Sequence, residues 1–209
     1  MESNSLSYVE WAQNGAHAPL LILAHGYGSH EQDLFGLRGE LPLSFNIVSL
    51  RAPLHCPMGG YAWFQIEFQR EDFGFSQGEA ERGIRALEQS IIEHRDRLEA
   101  TSVHLVGFSQ GGMMVLAAAL RGALDVQSAA VLSGRLPDSL LPVEVVAAPA
   151  ILVQHGKYDP VIDVAEARRC REWLTKKGLA HDYQEYPMAH SISRESLDDL
   201  CAWLMARAE

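Results

Sequence analysis

Apolar residues along this chain fall into short unbroken runs separated by longer amphipathic stretches, and that alternation predicts most of the architecture. Residues 20–24, 46–50, 103–106, 128–133 and 150–154 are runs of Leu, Ile, Val and Ala with few charges. Such runs mark strands buried on both faces of a parallel sheet. Residues 181–186 read as a last strand, and residues 6–12 alternate weakly enough to suggest an edge strand, closed by the Asn14-Gly15 turn.

Between the runs the period changes to that of helices. Residues 79–100 place Ile84, Leu87, Ile91 and Leu98 on one face and Glu, Arg and Gln elsewhere. Residues 113–120 form a helix closed by Gly122, residues 164–177 one that stops at Gly178, and residues 193–208 a terminal helix. Ser193 and Ser196 are not the usual capping box with an acidic third step, so the start of that last helix stays open. Strands alternating with helices predict a mostly parallel sheet covered on both faces, with right-handed crossovers and ligands bound beyond the carboxyl ends of the strands.

Residues 54–78 break the pattern. They carry Tyr61, Trp63, Phe64, Phe68, Phe73 and Phe75 among Gly and Pro with no sustained period. Two accounts compete: an apolar wall or cap over an acyl-binding pocket, for which Trp63 is the leading choice, or a satellite core beneath a long loop.

Composition narrows the class. The 209 residues, 47% hydrophobic and 21% charged, suit one globular domain spanning 1–209. The net charge of −10 disfavours nucleic acid as a partner. Cys56, Cys170 and Cys201 are widely spaced, with no pair suited to zinc or redox chemistry, and are expected as reduced thiols. A start without basic and apolar signal regions, and the lack of a run long enough to span a bilayer, lead to a cytoplasmic expectation without integral membrane contact. Nothing in the chain decides between a monomer and a homodimer.

The chemistry concentrates at strand ends. Gly107-x-Ser109-x-Gly111 joins a buried strand to a helix, the context in which a serine stands on a sharp turn above the carboxyl edge of a sheet. Positions flanking such a turn must lack bulk, and Gly107 and Gly111 do. The run at 20–24 delivers His25-Gly26-Tyr27-Gly28, a loop tight enough to aim the Tyr27 N–H at the same space. A serine nucleophile needs an imidazole to take its proton and a carboxylate to orient that imidazole, in the chain order Ser, acid, His. Asp159 leaves the strand at 150–154 on the correct edge and is favoured over Asp138, which also follows a strand on that side. His190 leaves the last strand at its carboxyl end and is the expected base, whereas His181 opens that strand on the far edge. His25 and His155 are expected to shape loops through side-chain hydrogen bonds.

Together Leu23-Ala-His-Gly-Tyr-Gly28, Gly107-Phe-Ser-Gln-Gly-Gly112, the segment from His155-Gly156 to Asp159-Pro160-Val161, and Met188 through His190 closely resemble the motifs of the phospholipase/carboxylesterase family of α/β-hydrolases, which includes the acyl-protein thioesterases. The resemblance runs from about residue 18 onward and is most specific at the elbow; it departs at Ser29, where the family commonly carries Asp. It implies an α/β-hydrolase fold, Ser109 as nucleophile, Asp159 as acid and His190 as base. It further implies an oxyanion hole from the Tyr27 and Gln110 N–H groups. The expectation is a serine carboxylesterase acting on a small ester or acyl substrate, without metal or cofactor, with Tyr61, Trp63 and Phe64 lining the pocket. An acyl thioesterase or lysophospholipase for long chains is the nearest alternative, and a ligand-binding protein that keeps the hydrolase shape without catalysis is the more distant one.

Overall fold

In the computed structural model, which describes residues 5–67, 74–136, 138–142, 144–145 and 149–208, the apolar runs assemble side by side. The main sheet holds β1 (Tyr8–Trp11), β2 (Leu20–Ala24), β3 (Asn46–Leu50), β8 (Val103–Phe108), β9 (Ser128–Leu132), β10 (Ala150–Gly156) and β11 (His181–Tyr186). Their order is β1-β3-β2-β8-β9-β10-β11. Only the edge strand β1 is antiparallel to its neighbour; each other pair in the sheet is parallel.

Residues of β2 show why these runs are apolar throughout. Leu20, Ile22 and Ala24 face a core shared with α2 (Gln77–Arg97) and α3 (Gln110–Leu120), while Leu21 and Leu23 face α5 (Arg194–Met205) on the other side. A strand with helices over both faces has no solvent side, so no polar alternation survives. The short α1 (Gln32–Phe35) shares the α5 face through Leu34. Helix α4 (Val164–Lys176) buries Ala167, Cys170 and Leu174 against Ile151 and Val153 of β10.

The strand order also locates the ligand crevice. From β2 the chain steps outward to β3, then returns across β2 to β8 and proceeds the opposite way through β9, β10 and β11. The reversal between β2 and β8 opens a crevice at their carboxyl ends. Ala24 and Gly107 pair there, so the loop at 25–28 and the corner at Ser109 leave the sheet as neighbours.

The stretch at 54–78 is more ordered than its lack of period suggests. Two small antiparallel ribbons form, β4 (Leu54–His55) with β5 (Tyr61–Ala62) and β6 (Ile66–Glu67) with β7 (Gly74–Phe75). Tyr61 also bridges Ser29, through Tyr61 N–H to Ser29 O at 2.7 Å and Gly28 N–H to Tyr61 O at 2.9 Å. These pairings are too short to leave a periodic trace, and the bridge at Tyr61 reaches a loop far away in sequence. Phe68 and Phe73 lie outside the described residues. The terminal helix starts at Arg194, because Ser196 Oγ accepts the Ser193 N–H at 2.9 Å and closes a capping box that a serine, in place of the usual acid, completes.

Candidate active site

Ser109 sits at φ 54° and ψ −117°, the positive-φ corner between β8 and α3. A side chain rarely adopts this conformation, and packing around it maintains the strain. A Cβ on Gly107 would lie 2.2 Å from Gly111 O, and one on Gly111 would lie 2.0 Å from Ala24 O. The two glycines therefore let the corner close on itself and let α3 press against the end of β2. Ser109 N–H donates to Leu132 O at 2.8 Å, which fixes the corner to β9.

Asp159 and His190 arrive from separate loops. Gly156 ends β10, and a Cβ there would lie 2.3 Å from both Met188 O and Ala189 O, so the two loops touch backbone to backbone. His190 Nδ1 lies 2.7 Å from Asp159 Oδ2, and His190 Nε2 lies 3.0 Å from Ser109 Oγ. A carboxylate only accepts, so Nδ1 carries the ring proton and Nε2 is left to accept from the serine hydroxyl. The structure thus brings together the three side chains singled out in the sequence. Asp138 lies elsewhere, on the 3-10 turn Asp138–Leu140, where it forms an exposed ion pair with Arg169.

The carboxylate is held from several directions. Its side chain is fully buried, which alone would raise its pKa, yet the His190 hydrogen bond and the N–H groups of Ile162 and Val161 outweigh that and keep it below the usual range. Oδ1 accepts from Val161 at 2.8 Å and from Ile162 at 2.9 Å. His155 Nε2 lies 2.8 Å from Ile162 O and 3.3 Å from Asp159 Oδ2, while its buried Nδ1 has no hydrogen-bond partner among the described residues. His155 thereby shapes the acid loop.

His25 does the same for the loop at 25–28. Its Nδ1 lies 2.7 Å from Gly26 O and its Nε2 accepts the Ala52 N–H at 3.0 Å, which fixes the tautomer. Burial holds its pKa below the ordinary value. Glu31 and Arg51 add a second brace, with Arg51 Nε donating to Glu31 at 2.6 Å from the end of β3. Tyr27 follows in this braced loop, and its hydroxyl donates to Gln65 at 3.0 Å. Gln110 opens α3, where the first N–H groups of a helix have no carbonyl one turn earlier to bind.

The aromatic expectation is corrected in part. Trp63 and Phe64 are fully buried in the core under α2 and α3 and present no surface to a substrate. Trp63 Nε1 donates to His25 O at 3.0 Å, so the indole supports the loop from below. Tyr61 is half-buried with the Arg51 guanidinium over its ring, 4.5 Å from the centroid. Of the two accounts of this segment, the satellite core describes Trp63 and Phe64. The sequence reading also missed Phe108, whose ring centroid lies 4.9 Å from that of His190, and an open cleft of about 290 Å³ bordered by both residues. Among the described residues, no group of three or more His, Cys, Asp or Glu is arranged to hold a metal ion.

A model of the phospholipase/carboxylesterase family matches residues 8–207. The chain belongs to that family. Acyl-protein thioesterase 1 of Gibberella zeae is 30% identical over 181 residues, covering 79% of this chain and 72% of that protein. A probable carboxylesterase of Oryza sativa subsp. japonica is 29% identical over 164 residues, covering 73% of this chain and 61% of the rice protein, less than two thirds of its length. Among solved structures, esterase PE8 superposes with a TM-score of 0.86 at 27% identity, covering 97% of this chain and 98% of the other. Family and neighbours share the α/β-hydrolase fold, and the family is one of hydrolases. No helix among the described residues is long and apolar enough to cross a membrane.

Proposed function

We propose that this chain is a serine carboxylesterase that hydrolyses carboxylic esters through an acyl-enzyme intermediate. The observation that carries this reading is the continuous line from Asp159 Oδ2 through the His190 ring to Ser109 Oγ, with spacings of 2.7 and 3.0 Å. A serine hydroxyl is a weak nucleophile until a base takes its proton. Here Oγ attacks the ester carbonyl as its proton passes to His190 Nε2, and the buried Asp159 carboxylate stabilises the imidazolium that forms. The tetrahedral oxyanion is received by the Tyr27 and Gln110 N–H groups, one from each side of the crevice between β2 and β8. His190 then returns the proton to the departing alcohol, and a water activated by the same ring releases the acid. No step calls on a metal.

The acyl-protein thioesterase relative favours a second reading, since the same machinery expels a thiolate as readily as an alkoxide. Both are tested by hydrolysis of p-nitrophenyl esters from acetate to palmitate, alongside a matched acyl thioester, with wild type and Ser109→Ala compared. The expected result is ester turnover that falls on the order of 10⁶-fold in the variant. Faster turnover of the thioester at equal acyl length would move the thioesterase reading ahead. A wild type that cleaves nothing and resists fluorophosphonate labelling at Ser109 would leave a ligand-binding protein.

A further inference from the structure

The open cleft beside His190 has a composition that bears on which substrates fit. Its walls are Leu34 and Leu37 on and just beyond α1, Phe108 at the foot of the elbow, and the His190 ring with Ile192 from the loop after β11; the polar Asp33 and Ser191 also line it. Leu37 and Ile192 are half-buried, Leu34 is buried, and Asp33 is exposed. The cleft lies on the α1 and α5 side of the sheet, whereas the aromatic segment at 61–64 lies on the α2 and α3 side.

We propose, building on the esterase reading above, that this cleft receives the alcohol half of the substrate and selects uncharged or cationic leaving groups over anionic ones. The leaving oxygen must come within hydrogen-bonding reach of His190 Nε2, since that nitrogen returns the proton. The group attached to that oxygen therefore starts beside the imidazole, and the cleft is the apolar space that the imidazole itself borders. Its volume of about 290 Å³ is roughly twice that of a cavity known to house benzene, room enough to seat a phenyl or short alkyl group beside the imidazole. The Asp33 side chain, part of the lining, accepts the Ser29 hydroxyl at 2.6 Å, which holds a carboxylate there. An anionic leaving group meets like charge there, in a protein whose net charge is already −10.

The test separates the two halves of the ester. Values of kcat/KM report acylation, the step in which the alcohol leaves, and the intrinsic reactivity of each ester cancels when a variant is compared with wild type. One series varies the alcohol of an acetate (methyl, butyl, phenyl); the other varies the acyl chain of a p-nitrophenyl ester. In Leu37→Trp, which narrows the cleft, the phenyl-to-methyl ratio should drop at least tenfold, while the acyl-length preference keeps its shape. Ile192→Ala, a milder change at another lining residue, should raise the ratio for naphthyl over phenyl acetate. In wild type, 4-acetoxybenzoate should be a poorer substrate than phenyl acetate, and Asp33→Asn should narrow that gap roughly fivefold. Variants that shift the acyl series instead assign the cleft to the acyl chain and overturn the proposal. Active variants with unchanged ratios in both series show that the cleft takes no part of the substrate. A wild type inert to every ester and to a fluorophosphonate removes the esterase reading beneath it.

Discussion

Gln110 Oε1 accepts the Trp63 backbone N–H at 2.9 Å, so the residue after the nucleophile also grips the aromatic segment. Its amide nitrogen completes the clamp by donating to Phe64 O at 2.8 Å. The side chain is buried, and Gly83 of α2 lies so close that a Cβ there would come within 2.6 Å of Trp63 O. Nucleophile corner, Trp63 and α2 therefore form one packed unit, and the indole passes the support on to His25.

Breaking that clamp should cost stability before it costs chemistry. Gln110→Ala leaves the Trp63 N–H buried without its acceptor and opens a small void, a loss of about 2–3 kcal/mol. Urea unfolding should show a lower midpoint with the same slope. Gln110→Glu keeps an acceptor for Trp63 but sets a carboxylate oxygen against Phe64 O, so its stability should recover as pH falls and the carboxyl protonates. A variant as stable as wild type at every pH would show that water replaces the side chain.

Ser109 offers a cleaner separation of strain from catalysis. Ser109→Ala and Ser109→Gly both lack Oγ and should both be inactive. At φ 54° alanine retains the backbone strain, whereas glycine adopts the conformation freely. Strain of about 1–3 kcal/mol, offset by the larger unfolded-state entropy of glycine, predicts that Ser109→Gly is more stable than Ser109→Ala by about 1 kcal/mol. In a chain of this size that is a difference of about 2–4 °C in melting temperature. Equal melting temperatures would mean that the corner relaxes without the hydroxyl.

How much of this was legible in the sequence depended on how far each feature reaches along the chain. The strand at 20–24 announced itself because both of its faces are apolar, and Ser109, Asp159 and His190 stood out because strand ends place loops on one known edge. That rule leaves Asp138 on the correct edge beside Asp159; the structure separates them, pairing Asp138 with Arg169 and Asp159 with His190. Trp63 misled because an aromatic in an unpatterned segment reads alike whether it lines a pocket or fills a core. Its burial follows from contacts to Gln110, 47 residues later, and to Gly83, whose missing side chain makes room. The cleft beside Phe108 joins residues from α1, β8 and the His190 loop, a juxtaposition that no local pattern carries.

His104 gives the protein an acid-sensitive point away from the active site. It is fully buried in β8, its Nδ1 lies 2.7 Å from Ser128 Oγ and its Nε2 lies 2.9 Å from Ser102 Oγ, with the Phe45 ring at its edge. Burial, aided by the charge of Arg207, lowers its pKa from 6.5 to about 4. The unfolded chain then binds this proton near pH 6.5 and the folded chain only near pH 4, so stability is full above 6.5 and declines as pH falls toward 4. His25 and His94, also lowered by burial, add to the same slope. His104→Gln keeps a donor and an acceptor but cannot titrate. Between pH 7 and pH 5 it should lose less stability than wild type, by on the order of 2 kcal/mol, in urea titrations at the two pH values. An identical loss in both proteins would mean that the ring protonates in place, with the two serine hydroxyls turning to accept.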